Sequence, residues 1–226
     1  MKFFDIKPFE YRRLIQAADG PLQADVYEVQ RNNRQYILKD YSARPKLFRA
    51  TICRWQLRRE WFALLKLRRV KDVPKPIAFG ADQLLMSKLK QCKVGINRHN
   101  SSSLESKIDQ IHQAGVCHND LHSNNLMLNQ TQAFIFDFGA ATFRPQRGKG
   151  LLNKIKGKLF ELSQLLDRMA VVKYKWKRDR KLLRPDEAPI VALVEKTRWL
   201  SRSWRRFKQW RKQKAVNRRA EAVNCR

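Results

Sequence analysis

Long apolar runs are missing from this chain of 226 residues. The longest stretch near its end, Ala188 to Val194, falls far short of the ~20 residues that cross a bilayer, which excludes a membrane-spanning helical protein. The first residues, Met1 to Arg13, hold Phe3 and Phe4 but then Asp5 and no apolar core, so they do not read as a secretory signal. Cysteine is scarce. Cys53, Cys92, Cys117 and Cys225 stand far apart with no Cys-x-x-Cys, a pattern that fits neither a disulfide framework nor a zinc ribbon and reads as reduced thiols. Acidic residues are also few: 20 Asp and Glu against 49 Lys and Arg leave a formal charge of +29. That imbalance implies an anionic partner, whether nucleic acid, a lipid surface or a phosphorylated glycan. The expectation is a cytoplasmic protein, peripheral on the inner membrane if its basic surface meets lipid.

Apolar residues make up 43% of the chain, enough for a buried core, and the length suits one functional unit built as two small lobes around a cleft. Residues 1–45 hold β-type stretches at Tyr11 to Ile15, Asp25 to Gln30 and Gln35 to Tyr41, with Asn32 and Asn33 turning the last two into a hairpin. After Pro45, apolar residues at Phe48, Ile52, Trp55, Trp61, Leu64 and Leu65 recur at helical spacing, predicting a helix over Lys46 to Arg69 that Pro74 and Pro76 terminate. Two strands follow, Pro76 to Phe79 and Gln83 to Leu89, and then a polar connector, Lys90 to Ser102. Ser102 and Glu105 have the spacing of a capping box, and Leu104, Ile108 and Ile111 share one face of the helix that ends at Gly115. The strands Leu126 to Asn129 and Ala133 to Phe136 come next, and a helix over Phe160 to Val172. The pattern predicts an α+β fold with an N-lobe over 1–90, a catalytic C-lobe over 91–180 and a basic helical tail over 181–226. From Arg144 onward 26 Lys and Arg face seven Asp and Glu, so most of the excess charge belongs to the last third.

The segment His118-Asn119-Asp120-Leu121-His122-Ser123-Asn124-Asn125, with Asp137-Phe138-Gly139 twelve residues on, carries the richest chemistry. Phosphoryl transfer from a nucleotide needs a carboxylate near the acceptor hydroxyl and hard oxygen ligands for magnesium. Asp120 suits the first task. Asn125 and Asp137, at the ends of adjacent strands, suit the second.

These residues resemble the catalytic and metal loops of the protein-kinase-like superfamily, H-x-D-x-x-x-x-N and D-F-G. The resemblance implies an ATP- and Mg2+-dependent kinase and assigns further residues. Tyr36-Ile37-Leu38-Lys39 looks like the strand whose lysine holds the nucleotide phosphates, and Glu60, 21 residues later, like its helix partner. Leu84-Leu85-Met86 would lead into a hinge where backbone groups from Ser87 to Leu89 receive the adenine. In place of a glycine-rich loop, Ala17 to Ala24 offers Gly20 alone, and no A-P-E follows Asp137-Phe138-Gly139. Such a minimal outline is similar to the bacterial lipopolysaccharide-core kinases that phosphorylate Kdo or heptose at the inner membrane. RIO-type atypical kinases are the second resemblance, with a ribonucleoprotein partner. The loop is also similar to that of aminoglycoside and choline phosphotransferases. A kinase-like adaptor without activity is the reading outside enzymes.

His112, His118 and His122 lie close enough in sequence to suggest zinc, but His118 is expected to buttress the Asp120 backbone and His112 to sit satisfied on its helix. In the tail, Ile190, Leu193, Thr197, Leu200, Trp204 and Phe207 alternate with Lys and Arg as a basic amphipathic helix. Such a helix either lies on anionic lipid or packs on its own lobe.

Overall fold

The structure, a computed structural model, describes residues 9–90, 94–146, 148 and 150–196. Three antiparallel strands open it: β1 (Tyr11–Gln16), β2 (Asp25–Arg31) and β3 (Arg34–Asp40). Asn32 and Asn33 turn β2 into β3 at φ 49° and 57°, the left-handed pair that a two-residue hairpin needs and that asparagine tolerates. The register runs from Arg31 opposite Arg34 to Asp25 opposite Asp40. With β4 (Pro76–Phe79) and β5 (Gln83–Ser87) they form one sheet in the order β1-β2-β3-β5-β4.

The helical run between β3 and β4 differs from the single helix expected over Lys46 to Arg69. Pro45 opens one turn, α1 (Lys46–Phe48), a π-helical turn spans Arg49–Cys53, and α2 (Arg54–Lys66) follows. At the wide turn the Thr51 hydroxyl donates to the Leu47 carbonyl at 2.7 Å, drawing an acceptor away from the backbone ladder. Facing the sheet, α2 buries Leu57, Ala63 and Leu64, and in the same stripe Glu60. A carboxylate in that position demands a charged partner.

The next helix, α3 (Arg98–Gln113), begins earlier than the Ser102 capping box implied, so the polar connector is shorter than Lys90 to Ser102. Its cap is a reciprocal pair. The Asn100 backbone N–H donates to the Asn97 side chain at 2.9 Å, and the Asn97 backbone N–H donates to the Asn100 side chain at 2.8 Å. Ser102 and Glu105 are occupied elsewhere: the Ser102 hydroxyl donates to the Arg98 carbonyl, and Glu105 accepts from buried Lys175 at 2.6 Å.

Two short ladders follow, β6 (Val116–Cys117) with β9 (Thr142–Phe143) and β7 (Leu126–Leu128) with β8 (Ala133–Ile135). The helix α4 (Leu151–Arg178) extends well beyond the expected Phe160 to Val172. One core joins the sheet, α2, α3 and the ladders through Leu64, Leu84, Leu104, Ile111, Ile135 and Phe138. The chain divides into two compact units, Met1–Leu182 and Leu183–Arg226. The second holds α5 (Ala188–Lys196); the predicted tail positions Thr197, Leu200, Trp204 and Phe207 lie outside the described residues. Among the described residues no helix is long and apolar enough to cross a membrane.

Candidate active site

The two ladders force two loops together. Residues 118–125 connect β6 to β7 and residues 136–141 connect β8 to β9; because β6 pairs with β9 and β7 with β8, the loops run side by side. Cross-links fix them. The Phe136 amide donates to the Asn125 carbonyl at 3.2 Å, and the Asn119 side-chain amide donates to the Ala140 carbonyl and the Thr142 hydroxyl, both at 3.1 Å. His118 holds both loops: its Nε2 meets the Phe136 carbonyl at 3.0 Å while its Nδ1 accepts from the Asp120 amide at 3.2 Å. Those contacts assign the proton to Nε2, and burial lowers the pKa of the ring, keeping it neutral.

Beneath the loop sits Asp167 of α4, 1% exposed. One oxygen accepts from the Asn119 amide at 2.8 Å, the other from the His118 amide at 2.7 Å and meets His112 Nε2 at 3.0 Å. Sequence reasoning passed over this residue. A usable signal was present: Asp167 falls in the buried stripe of α4 with Phe160, Ser163 and Val171, where an unpartnered carboxylate would be costly. The ligand atoms of His112, Cys117 and Asp167 lie within 4.8 Å of one another; the Asp167 oxygens are taken by backbone donors and the Cys117 thiol donates to the Phe160 carbonyl. His112, however, is met only at Nε2, its buried Nδ1 having no hydrogen-bond partner among the described residues, so the fully satisfied imidazole expected on this helix is not what the structure shows.

On the sheet side, Lys39 Nζ lies 2.8 Å from both oxygens of Glu60 and 2.8 Å from Asp137 Oδ1. Burial works against the ammonium, yet the Glu60 and Asp137 carboxylates raise its pKa well above that of an ordinary lysine. The Lys39 ammonium in turn holds the Asp137 carboxyl below the usual range. Asp137 occupies left-handed backbone at φ 67°, as does Asn119 at φ 61°. Each loop thus contains one strained residue held by hydrogen bonds around it. Arg59, next to Glu60 on α2, donates to the Ala140 and Ala141 carbonyls and lies over the Trp55 ring at 4.2 Å, tying α2 to the segment after Asp137. Its role was not foreseen.

Asp120 is half-exposed, and its Oδ1 lies 3.8 Å from His122 Nε2. The Asn125 side-chain amide donates to the Asp120 carbonyl at 2.9 Å and its Oδ2 at 3.3 Å, and the Asn125 backbone carbonyl accepts from the amide of Phe136, the residue before Asp137. An amide oxygen and an ionised carboxylate are hard donors and fit magnesium. Ser87 is committed inside the fold: its amide donates to the Lys75 carbonyl and its hydroxyl accepts from the Lys75 amide. Leu89 lies just past the end of β5, partly buried. Gly20 sits in the β1–β2 connection, where an added Cβ would meet nothing within 4 Å and where its carbonyl accepts from the Gln23 amide at 3.3 Å. Flanking amides there are already satisfied, Ala18 by Asp25 and Asp19 by Gln23, so the connection caps itself.

Residues 22–149, more than half of the chain, match the family model of the RIO domain. The chain belongs to the RIO-domain family. Among solved structures, this RIO chain superposes on the Rio2 kinase–ADP/Mg2+–phosphoaspartate complex from Chaetomium thermophilum with a TM-score of 0.54, 14% identity and 75% of its own residues covered. A second structure of the Rio2 kinase from that organism gives a TM-score of 0.50, 15% identity and 70% coverage. At those identities the likeness is one of fold. The RIO chain spans about half the length of these kinases, 56% and 54%. No curated protein matches it. These findings support the kinase-like α+β fold and favour the RIO-type resemblance over the lipopolysaccharide-core one, for which, as for a glycolipid or membrane partner, they offer no support.

Proposed function

We propose that this RIO-domain protein is an ATP- and Mg2+-dependent phosphotransferase acting on a hydroxyl of a protein. The observation that carries the reading is the convergence of Lys39, Glu60 and Asp137 on one side of the cleft with the hydrogen-bonded pair Asp120 and Asn125 on the other. Lys39, held extended by Glu60, meets the nucleotide phosphates; Leu89, beyond β5, offers backbone groups to the adenine. Asn125 and Asp137 hold the magnesium, which when bound neutralises charge on the phosphate oxygens. Asp120 orients the acceptor hydroxyl and takes its proton, while His118 and Asp167 keep the Asp120 backbone in place. Family membership and the Rio2 fold support a protein acceptor over a sugar.

The test is transfer of label from γ-labelled ATP to separate protein and glycolipid fractions, with Asp120→Asn as control. The reading expects label in protein, and in Asp120→Asn retained nucleotide binding with turnover lower by ~10²-fold or more. Label confined to glycolipid overturns the acceptor; full turnover in the variant overturns the role of Asp120. Because the Rio2 complex contains a phosphoaspartate, the labelled product is also treated with hydroxylamine: labile label identifies a carboxylate acceptor, stable label a hydroxyl.

A further inference from the structure

The N-terminal half of α4 presents an aliphatic face to solvent. Leu151 and Leu152 are 74% and 73% exposed, Leu159 and Leu162 57% and 52%, and Ile155, Leu165 and Leu166 are each close to half exposed. At about 3.6 residues per turn these side chains fall on one broad stripe alongside the buried line of Phe160, Ser163 and Asp167, and the stripe runs for roughly 24 Å. Lysines accompany it: Lys154 along one margin with Lys158 just inside that edge, and Lys156 along the other, all exposed. Glu161 is the lone exposed acid between Leu151 and Met169. On the Lys156 side a cavity of about 410 Å³ continues the face toward α2, where Trp55 and Arg59 meet Lys156 and Leu159.

We infer that this face of α4 docks on an anionic lipid surface. Charge complementarity selects that occupant. A second copy of the chain would set lysine margin against lysine margin across the seam, which is repulsive. RNA would satisfy the lysines but gains nothing from seven exposed aliphatic side chains. A protein partner is a poorer match, because interface cores are enriched in aromatic residues, methionine and arginine and depleted in lysine, whereas this stripe is leucine and isoleucine flanked by lysine. A membrane interface accepts that composition: leucines enter the acyl boundary, lysine stems follow them, their ammonium groups rest among anionic headgroups, and an exposed indole such as Trp55 favours the same depth. The inference rests on the surface of α4 and is independent of the acceptor proposed above.

Flotation of the full chain with vesicles of phosphatidylcholine alone, and of phosphatidylcholine with phosphatidylglycerol, tests it. The expected result is binding to the acidic vesicles only, weakened by about tenfold or more in Leu159→Glu with Leu162→Glu, and weakened with a shallower salt dependence in Lys154→Glu with Lys158→Glu. Both leucines are more than half exposed, so the fold should hold, and a thermal unfolding curve checks it. Should the glutamate pair not fold, Leu159→Ser with Leu162→Ser gives the same comparison. Three results overturn the inference: no flotation of the parent, flotation of the leucine variants equal to the parent, or a parent dimer in sedimentation that the leucine variants convert to monomer without loss of vesicle binding. Equal loss of binding to an RNA oligomer and to vesicles in the uncharged Leu159→Ser with Leu162→Ser variant also overturns it, since only lipid has use for the stripe.

Discussion

Replacing Lys39 by Met is expected to destabilise the fold as well as any nucleotide binding, and the structure supplies the size of the effect. Lys39 Nζ lies 2.8 Å from both Glu60 oxygens, and Glu60 is 3% exposed. Removing the ammonium leaves a buried carboxylate without its counter-ion. Breaking a buried pair from one side costs about 3–5 kcal/mol. In a chain of this size that lowers the melting temperature by roughly 6–20 °C. Glu60→Gln is expected to be milder, about 1–3 kcal/mol, because Lys39 keeps Asp137, whose side chain is 44% exposed and so partly solvated. The double variant, Lys39→Met with Glu60→Gln, removes both charges together. It should be less destabilised than the sum of the single changes by about 2–3 kcal/mol.

Urea unfolding of all four proteins, followed by circular dichroism, measures that coupling. Nucleotide binding is measured alongside and, if Lys39 meets the phosphates as proposed, should not return in the double variant. Additive stabilities within about 0.5 kcal/mol would show that the Lys39–Glu60 contact has no energetic weight and that Glu60 is an ordinary helix residue.

Further expectations concern the loops. Asp167→Ala removes the acceptor for two amides and His112 and should cost about 3–5 kcal/mol by urea unfolding; a melting temperature within a degree of the parent would refute the clamp. Asp137→Ala should weaken Mg2+-dependent ATP binding in calorimetry while leaving metal-free nucleotide binding less affected; equal binding in both conditions would refute the ligand role. His118 is buried neutral with its pKa lowered from 6.5, so its share of stability is present above that value and is lost as pH falls below it. In His118→Gln the decline of stability as pH falls below about 6.5 should flatten, and an unchanged slope would place the titration elsewhere. Burial and Asp167 push the Cys117 thiol up to about 12, so thiol reagents at pH 8 should modify it only in the unfolded chain; rapid native labelling would contradict its placement.

What was legible in the sequence was local chemistry with fixed spacing. The turn at Asn32 and Asn33, the lysine of β3, the carboxylate of α2 and the two loops are each short signals, and the order of strands around them brings Lys39, Glu60 and Asp137 into contact. What stayed hidden depends on partners distant in sequence. Asp167 answers backbone amides 48 and 49 residues away, and a backbone donor leaves no mark in composition. Ser102 and Glu105 matched a capping box, but Lys175, 70 residues later, takes the carboxylate, and the cap passes to Asn97 and Asn100. Arg59 could be read as an ordinary exposed cation until α2 was docked against the segment after Gly139.

The distribution of charge separates two effects that net charge alone conflates. The whole chain carries +29, yet at its candidate site two carboxylates, Glu60 and Asp137, share one ammonium, Lys39, and the neighbouring loop adds Asp120 beside Asn125. Were a triphosphate to bind as proposed, the first would draw it toward the protein and the second would repel it at the site. Long-range attraction acts through solvent, so it weakens as salt shortens the screening length toward ~8 Å. The local repulsion acts between groups a few ångströms apart in a partly desolvated cleft, where salt screens little. A divalent cation held, as proposed, by Asn125 and Asp137 would offset the local excess, whereas more basic residues on the surface would not. Raising monovalent salt should therefore slow nucleotide association without removing the need for Mg2+, and lowering Mg2+ should abolish tight binding however low the salt. On the proposed function, the basic surface would select anions in general, and the acidic side chains of the site would make the nucleotide's metal complex the form that binds.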